Sequence, residues 1–203
     1  MFRHKASDVK HGALLAGFSE FVTQEGRAVE LRLFEVGLIP GLLQTADYAT
    51  AIAAAAVRRG SITQAKADER VQVLIDRQAI LRRDSPPLVH VVMDESCIRR
   101  PVGGDAVMAA QLDRLVSFAN EPTVRLQIAP FTLGEDRAFD LPVSILTLPD
   151  RSLMSYAESA HQGRLERETN AVTAGLTAYY QLQTHACSQA DSVAMIRELR
   201  RQL

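Results

Sequence analysis

The hydrophobic period of this chain changes along its length, and that change limits the folds open to it. After Ser61, the residues Ala67, Val71, Leu74, Gln78 and Leu81 recur at spacings of four and three, one face of an amphipathic helix. Further on, Val124, Leu126 and Ile128 alternate with Arg125 and Gln127, the period of a strand with one buried face. A chain with both periods needs a sheet and helices to cover it.

Other segments fill in the pattern. Leu88–Met93 is rich in β-branched residues and predicts a strand. Residues 143–148 and 153–157 flank Pro149-Asp150-Arg151-Ser152 and predict a β-hairpin. Residues 12–36 are helix-compatible up to Gly37. Pro40-Gly41 marks a turn, after which Thr45 caps a helix that stops at Arg58-Arg59-Gly60. Ser61 and Gln64 have capping-box spacing for the helix that ends near Ser85-Pro86-Pro87. Gly103-Gly104-Asp105 opens a helix with Met108, Leu112, Leu115 and Ala119 on one face, and residues 164–184 and 189–202 read as helices. The sum predicts an α+β fold: a helical N-terminal part, a small, mostly antiparallel sheet of three to four strands, and C-terminal helices, with no βαβαβ series. Residues 1–24 read as a helical N-terminal extension and 25–203 as one domain.

Charge narrows the function. Lys and Arg number 23 against 24 Asp and Glu in 203 residues, a net charge of -1. Neither half has the basic excess that neutralising phosphates requires, so nucleic acid is not an expected partner. No apolar run approaches the roughly 18 residues of a membrane span. The N-terminus lacks the apolar core of a signal peptide. Cys97 and Cys187 have no metal-site spacing, which suits a reduced, cytoplasmic chain. No phosphate loop, dinucleotide fingerprint, HExxH or GxSxG is present, and the residues call for no cofactor or metal.

The candidate site consists of polar residues set in apolar elements. Gln78 interrupts a helical stripe, and a buried amide must find partners, such as the backbone of the 40–45 turn or a ligand. Arg77 beside it can reach a carboxylate such as Asp94 or Glu158. Gln44 and Tyr48 sit at a helix start, and Asp94-Glu95 at a strand end, where Glu95 has the spacing to pair with Arg99. Gly103-Gly104, before a helix, is a weak anion-site signal, better read as a tight turn. Tyr156, Glu158 and His161 close the hairpin and would serve, with Asp94 and Glu95, as acid/base groups if the chain is an enzyme. His90, between two valines, reads as a satisfied or solvent-facing histidine. Cys97, near Arg99 and Arg100, has the setting for a lowered thiol pKa but no paired base. The ligand-binding set is therefore Gln44, Tyr48, Arg77, Gln78, Asp94, Glu95, Tyr156 and Glu158.

Several strings occur together: Phe34-Glu35; Ile39-Pro40-Gly41-Leu42-Leu43-Gln44-Thr45-Ala46-Asp47-Tyr48-Ala49; Arg77-Gln78-Ala79-Ile80-Leu81-Arg82; Asp94-Glu95-Ser96-Cys97-Ile98-Arg99-Arg100; Gln127-Ile128-Ala129-Pro130-Phe131; and Tyr156-Ala157-Glu158. In this order they resemble the uncharacterised C-terminal domain that follows an Xre-type helix-turn-helix in many actinobacterial transcription regulators. The resemblance runs from about residue 25 to the end and implies a sensor or interaction module. The stretch before it is too short for a helix-turn-helix bundle. The expected function is thus a stand-alone regulatory domain that senses a small molecule or binds a protein partner such as a regulator; a homodimer is compatible with this. The alternative is an enzyme of specialised metabolism that uses the same pocket for a cyclisation or rearrangement. From the charge balance, a fluorescence-anisotropy titration against duplex DNA should show no sub-micromolar, salt-sensitive binding.

Overall fold

The computed structural model describes residues 17–158 and 163–203. His161 and most of the expected N-terminal extension lie outside the described residues.

The chain enters through helix α1 (Phe18–Glu25) and then forms strand β1 (Glu30–Glu35). Leu31, Leu33 and Phe34 of β1 are all buried, because the strand is paired along both edges and covered on both faces. A 3-10 turn at Gly41–Leu43 leads into α2 (Ala46–Arg58), where the Thr45 side chain accepts a hydrogen bond from the Tyr48 backbone N–H. The next helix, α3 (Gln64–Arg77), is capped by Thr63, which accepts from the N–H of Lys66, rather than by Ser61. It passes into a 3-10 segment at Gln78–Arg82, so the predicted long helix is two shorter pieces. Strand β2 (Leu88–Asp94), a one-turn helix α4 (Ser96–Arg99), α5 (Asp105–Phe118) and β3 (Val124–Ala129) follow. Gly103 holds a left-handed backbone at φ 74°, and a side chain there would meet Val107 at 2.8 Å. The tight-turn reading of the Gly103-Gly104 pair therefore has a steric basis. Strands β4 (Val143–Thr147), β5 (Leu153–Glu158) and β6 (Gly163–Glu166) complete the sheet, before helices α6 (Thr169–His185) and α7 (Gln189–Arg201).

The sheet has six strands in the order β3-β2-β1-β4-β5-β6. Strands β1, β2 and β3 are parallel neighbours, linked through α2–α3 and α4–α5. On its other edge β1 pairs antiparallel with β4, and β5 and β6 continue as a meander. The expected small, mostly antiparallel sheet of three to four strands is thus overturned. The chain does contain a βαβαβ unit, joined edge to edge to an antiparallel half. The discrepancy traces to Glu30–Glu35, which the helix-compatible reading of residues 12–36 absorbed. Glu30-Leu31-Arg32-Leu33 does alternate, but Phe34 breaks the pattern after four residues, and so short a run merges with the helix-compatible residues before it. Strand β6 is short and at an edge, in the stretch read as the start of a helix.

One face of the sheet carries Leu33, Val91, Met93, Leu126, Ile128, Leu146 and Tyr156. These pack in one cluster with Phe21, Tyr48, Met108, Leu115 and Ile196. The other face carries Phe34, Val92, Ala129 and Ile145 beneath Val172, Tyr179 and Leu182 of α6. Arg32 is buried on that second face. It pairs with Glu30 at 2.7 Å, donates to Thr147 Oγ1 at 3.0 Å and lies 5.5 Å from the Tyr180 ring centroid.

Gln111 ties α5 to the start of α2. It is fully buried; its Oε1 accepts from the Thr45 N–H at 2.7 Å and its Nε2 donates to the Leu43 carbonyl at 2.8 Å. Replacing it by Leu keeps the volume but strands both backbone groups in the core. Gln111→Leu should therefore lower unfolding stability by about 2–4 kcal/mol in urea titrations.

Candidate functional site

Strand β1 delivers Glu35 to its carboxyl end, where parallel pairing with β2 gives way to antiparallel pairing with β4. The loops beyond the carboxyl ends of parallel strands are a common place for binding residues. A cavity of about 210 Å³ opens there. Its walls are Phe18 and Phe21 from α1, Glu35 from β1, Gly41 from the 3-10 turn, Arg77 from the end of α3, Pro142 and Ser144 at β4, and Tyr156 and Glu158 from β5. At about 30 Å³ per water molecule, this space is small for a drug-sized ligand but adequate for a small metabolite.

The side chains divide into a satisfied pair and an unsatisfied one. Glu25 of α1 is 1% exposed and takes the Arg77 guanidinium in a two-pronged bond, Nε to Oε2 at 2.7 Å and Nη2 to Oε1 at 2.9 Å. The guanidinium also lies 5.0 Å from the Phe18 ring centroid and 5.6 Å from that of Phe21. Phe21 in turn stacks on Tyr156 at 4.2 Å. Burial works against the charge of Arg77; Glu25, then Glu158 and Glu35, more than offset it, and its pKa is raised.

Glu35 has no such support. Among the described residues its carboxylate accepts no hydrogen bond. Burial first, then the charge of Glu158, push its pKa from 4.5 up to about 8, against a smaller opposing pull from Arg77. Glu158 accepts a hydrogen bond at 2.8 Å from the Tyr156 hydroxyl. That phenol is held above its ordinary pKa, by burial and then by the Glu158 bond. Glu35 is thus mainly protonated at neutral pH and can hand over or receive a proton, whereas Tyr156 stays a neutral donor.

Three of the residues predicted for the site, Arg77, Tyr156 and Glu158, do meet in this cavity. The Arg77 partner is Glu25, however, not Asp94 or Glu158. Gln78 is half-buried and borders the site through the turn: its Nε2 donates to the carbonyls of Gly41 and Gln44 at 3.0 and 2.8 Å. Gln44 is spent on the Ile39 carbonyl at 2.7 Å, and the Tyr48 hydroxyl accepts from the Ile39 N–H at 3.3 Å. These three brace the 39–45 turn and do not line the cavity.

Asp94 and Glu95 do not line it either. Asp94 accepts from the Ser96 backbone and hydroxyl and from Arg137 at 2.9 Å. Burial opposes its charge, but the Ser96 bonds and then Arg137 hold it below the usual carboxylate range. Glu95 pairs with Arg99, as its spacing implies, and its other oxygen accepts from the Phe131 N–H at 2.8 Å. Both carboxylates therefore anchor loops. Cys97 departs from its sequence reading: its thiol is buried, donates to the Glu35 carbonyl at 3.3 Å and is pushed up in pKa, by burial and then by Glu35 and Asp94. His90 is partly buried, with Nε2 3.4 Å from Glu30, and burial lowers its pKa. Among the described residues, no group of three or more His, Cys, Asp or Glu could hold a metal ion, and no helix is long and apolar enough to cross a membrane.

The residues missed by sequence reasoning are Glu25, Glu35 and the Phe18–Phe21 pair. A carboxylate ending an apolar strand is a signal for Glu35, and it became visible only once 30–35 was a strand.

The chain belongs to the family described as Domain of unknown function (DUF5753), whose model matches residues 18–198. No curated protein and no solved structure matches the chain.

Glu35 makes stability fall with rising pH. Its folded pKa, about 8, exceeds the ordinary 4.5, so the folded state holds a proton that the unfolded state gives up. That contribution is fully present below pH 4.5 and is lost as pH rises to about 8. Glu35→Gln should flatten this decline and gain on the order of 1–3 kcal/mol near about pH 8, with little change near about pH 4, in denaturation measured across pH.

Proposed function

We propose that the protein is a regulatory domain that binds a small molecule in the cavity at the end of β1. The observation that carries this reading is Glu35: a carboxylate placed where the parallel and antiparallel parts of the sheet join, facing a cavity and Glu158, with no protein hydrogen bond among the described residues. Leaving such a group ungratified costs stability, and binding sites are where such a cost is tolerated. Walls drawn from α1, β1, α3, β4 and β5 support the reading, since a ligand there touches both halves of the sheet and stiffens their junction. The near-neutral charge and the resemblance to the sensing part of Xre-type regulators favour a cytoplasmic domain. On this reading it acts through its ligand, or through a partner regulator, rather than by gripping DNA itself.

A second reading has one observation in its favour. Glu35, neutral at pH 7, and the neighbouring Glu158 form a proton donor and acceptor pair of the kind that drives isomerisation or cyclisation. In that case bound compounds would be converted, not merely held.

A thermal-shift screen of a metabolite library should yield ligands that raise the melting temperature of the wild type. Glu158→Gln and Tyr156→Phe should abolish the shift, whereas Asp94→Asn should leave it intact. Shifts insensitive to the first two substitutions would place the binding elsewhere. NMR and chromatographic comparison of recovered with added ligand separates the readings, since a sensor returns its ligand unchanged whereas an isomerase returns a compound of the same mass but different structure.

A further inference from the structure

The charge inside the cavity is unbalanced, and the imbalance has a sign. Among the described residues that line it, Arg77 is the sole cation, and both prongs of its fork are committed to Glu25. Releasing it toward an anionic ligand would leave Glu25, 1% exposed, as a bare buried carboxylate. Breaking a buried pair in this way is strongly destabilising. The site is therefore poorly equipped for an anion. Glu35 and Glu158 remain, with Tyr156 serving one oxygen of Glu158. Both oxygens of Glu35 and the second of Glu158 lack a donor among the described residues.

We infer that the cavity takes a small organic amine in its protonated form, with the ammonium between Glu35 and Glu158. This rests on the proposed ligand-binding role of the cavity and names the chemical class that fits it. An ammonium brings three N–H donors and no acceptor, which matches a set of acceptors short of donors. Its charge offsets the repulsion between the two carboxylates. A bare divalent ion fits less well: calcium takes about six to eight oxygen ligands and magnesium a near-ideal octahedron, whereas this site offers two carboxylates beside a guanidinium. The space of about 210 Å³ also exceeds what an ion fills. The Phe21–Tyr156 stack gives the ligand's carbon skeleton an apolar wall.

Ionisation adds a signature. The charged groups around Glu35 are Glu158 on β5 and Arg77 on α3, the latter held by Glu25 on α1; the neighbouring titratable groups are Tyr156 on β5 and Cys97 on α4. Tyr156 and Cys97 both stay protonated well above neutrality. Binding an ammonium therefore draws the proton from Glu35, and affinity should rise with pH until that group is ionised.

The test is protein-observed NMR on the full chain. Butylamine, benzylamine and putrescine would be titrated at millimolar concentration. Butanol, benzyl alcohol, butyrate, benzoate and calcium chloride form the comparison set. The amines should shift resonances of Glu35, Ser144 and Tyr156. They should bind roughly tenfold or more tightly at about pH 9 than at about pH 6. Glu35→Gln, in which the charge repulsion is removed and folding is not at risk, should weaken them roughly tenfold. If alcohols or carboxylates shift the same resonances as strongly as the amines, the amine class is wrong and the cavity survives as a binding site. If calcium does so and the amines do not, the cation is inorganic and the inference falls. If no compound shifts these resonances, the inference is overturned; the library screen above then decides separately whether the cavity binds anything.

Discussion

Strand β1 carries more of the structure than its six residues suggest. It hydrogen-bonds β2 on one edge and β4 on the other, in opposite directions, and both of its faces are covered. Within the sheet, the crossover half and the meander half are joined through it. Its register fixes where α2 and α3 cross and where the β4–β5 hairpin docks, and it sets Glu35 at the seam. A one-residue slip would turn Leu31 and Leu33 to the wrong face and point Glu35 away from the cavity.

That seam explains why charged groups gather in an otherwise apolar cluster. Phe18, Phe21 and Tyr156 could close over the end of β1 as a continuation of the core. Instead the sequence brings in Glu25, Glu35, Arg77 and Glu158, and neutralises only part of the charge. Arg77 and Glu25 are satisfied in good geometry, so they hold α1 against α3. Glu35 avoids repelling Glu158 by keeping its proton. Stability alone would favour an amide or an apolar residue at position 35.

Much of this was legible in the sequence, within limits set by physics. Strands β2 and β3 and the β4–β5 hairpin carry β-branched runs, alternation or turn residues, helix α2 carries its Thr45 cap and helix α5 its apolar stripe; each of these signals is local. Strand β1 was misread, because its alternation runs only from Glu30 to Leu33 before Phe34 breaks it, and Leu31 and Phe34 then fit a helix as easily. With β1 misread, the parallel half could not be inferred, and Glu35 had no strand end to occupy. Arg77, Tyr156 and Glu158 were found by the rule that polar groups in apolar elements must be satisfied. The same rule picked Gln44, Gln78, Asp94 and Glu95, which backbone groups and arginines satisfy locally. A single sequence shows which side chains need partners, but not whether the partner is the chain itself.

The Arg77–Glu25 pair stands between two spaces. On one side lies the cavity; on the other, an open groove of about 520 Å³ between α1 and α3, with Val22, Val73 and Ile80 on its floor and Glu69 and Asp76 at its rim. Arg77 borders both. Because Glu25 cannot be left alone in the interior, the two side chains move as a unit or not at all. Any occupant that shifts Arg77 within the cavity must also redraw the floor of the groove. The cavity and the groove thereby share one wall, and a displacement of that wall on either side is felt on the other.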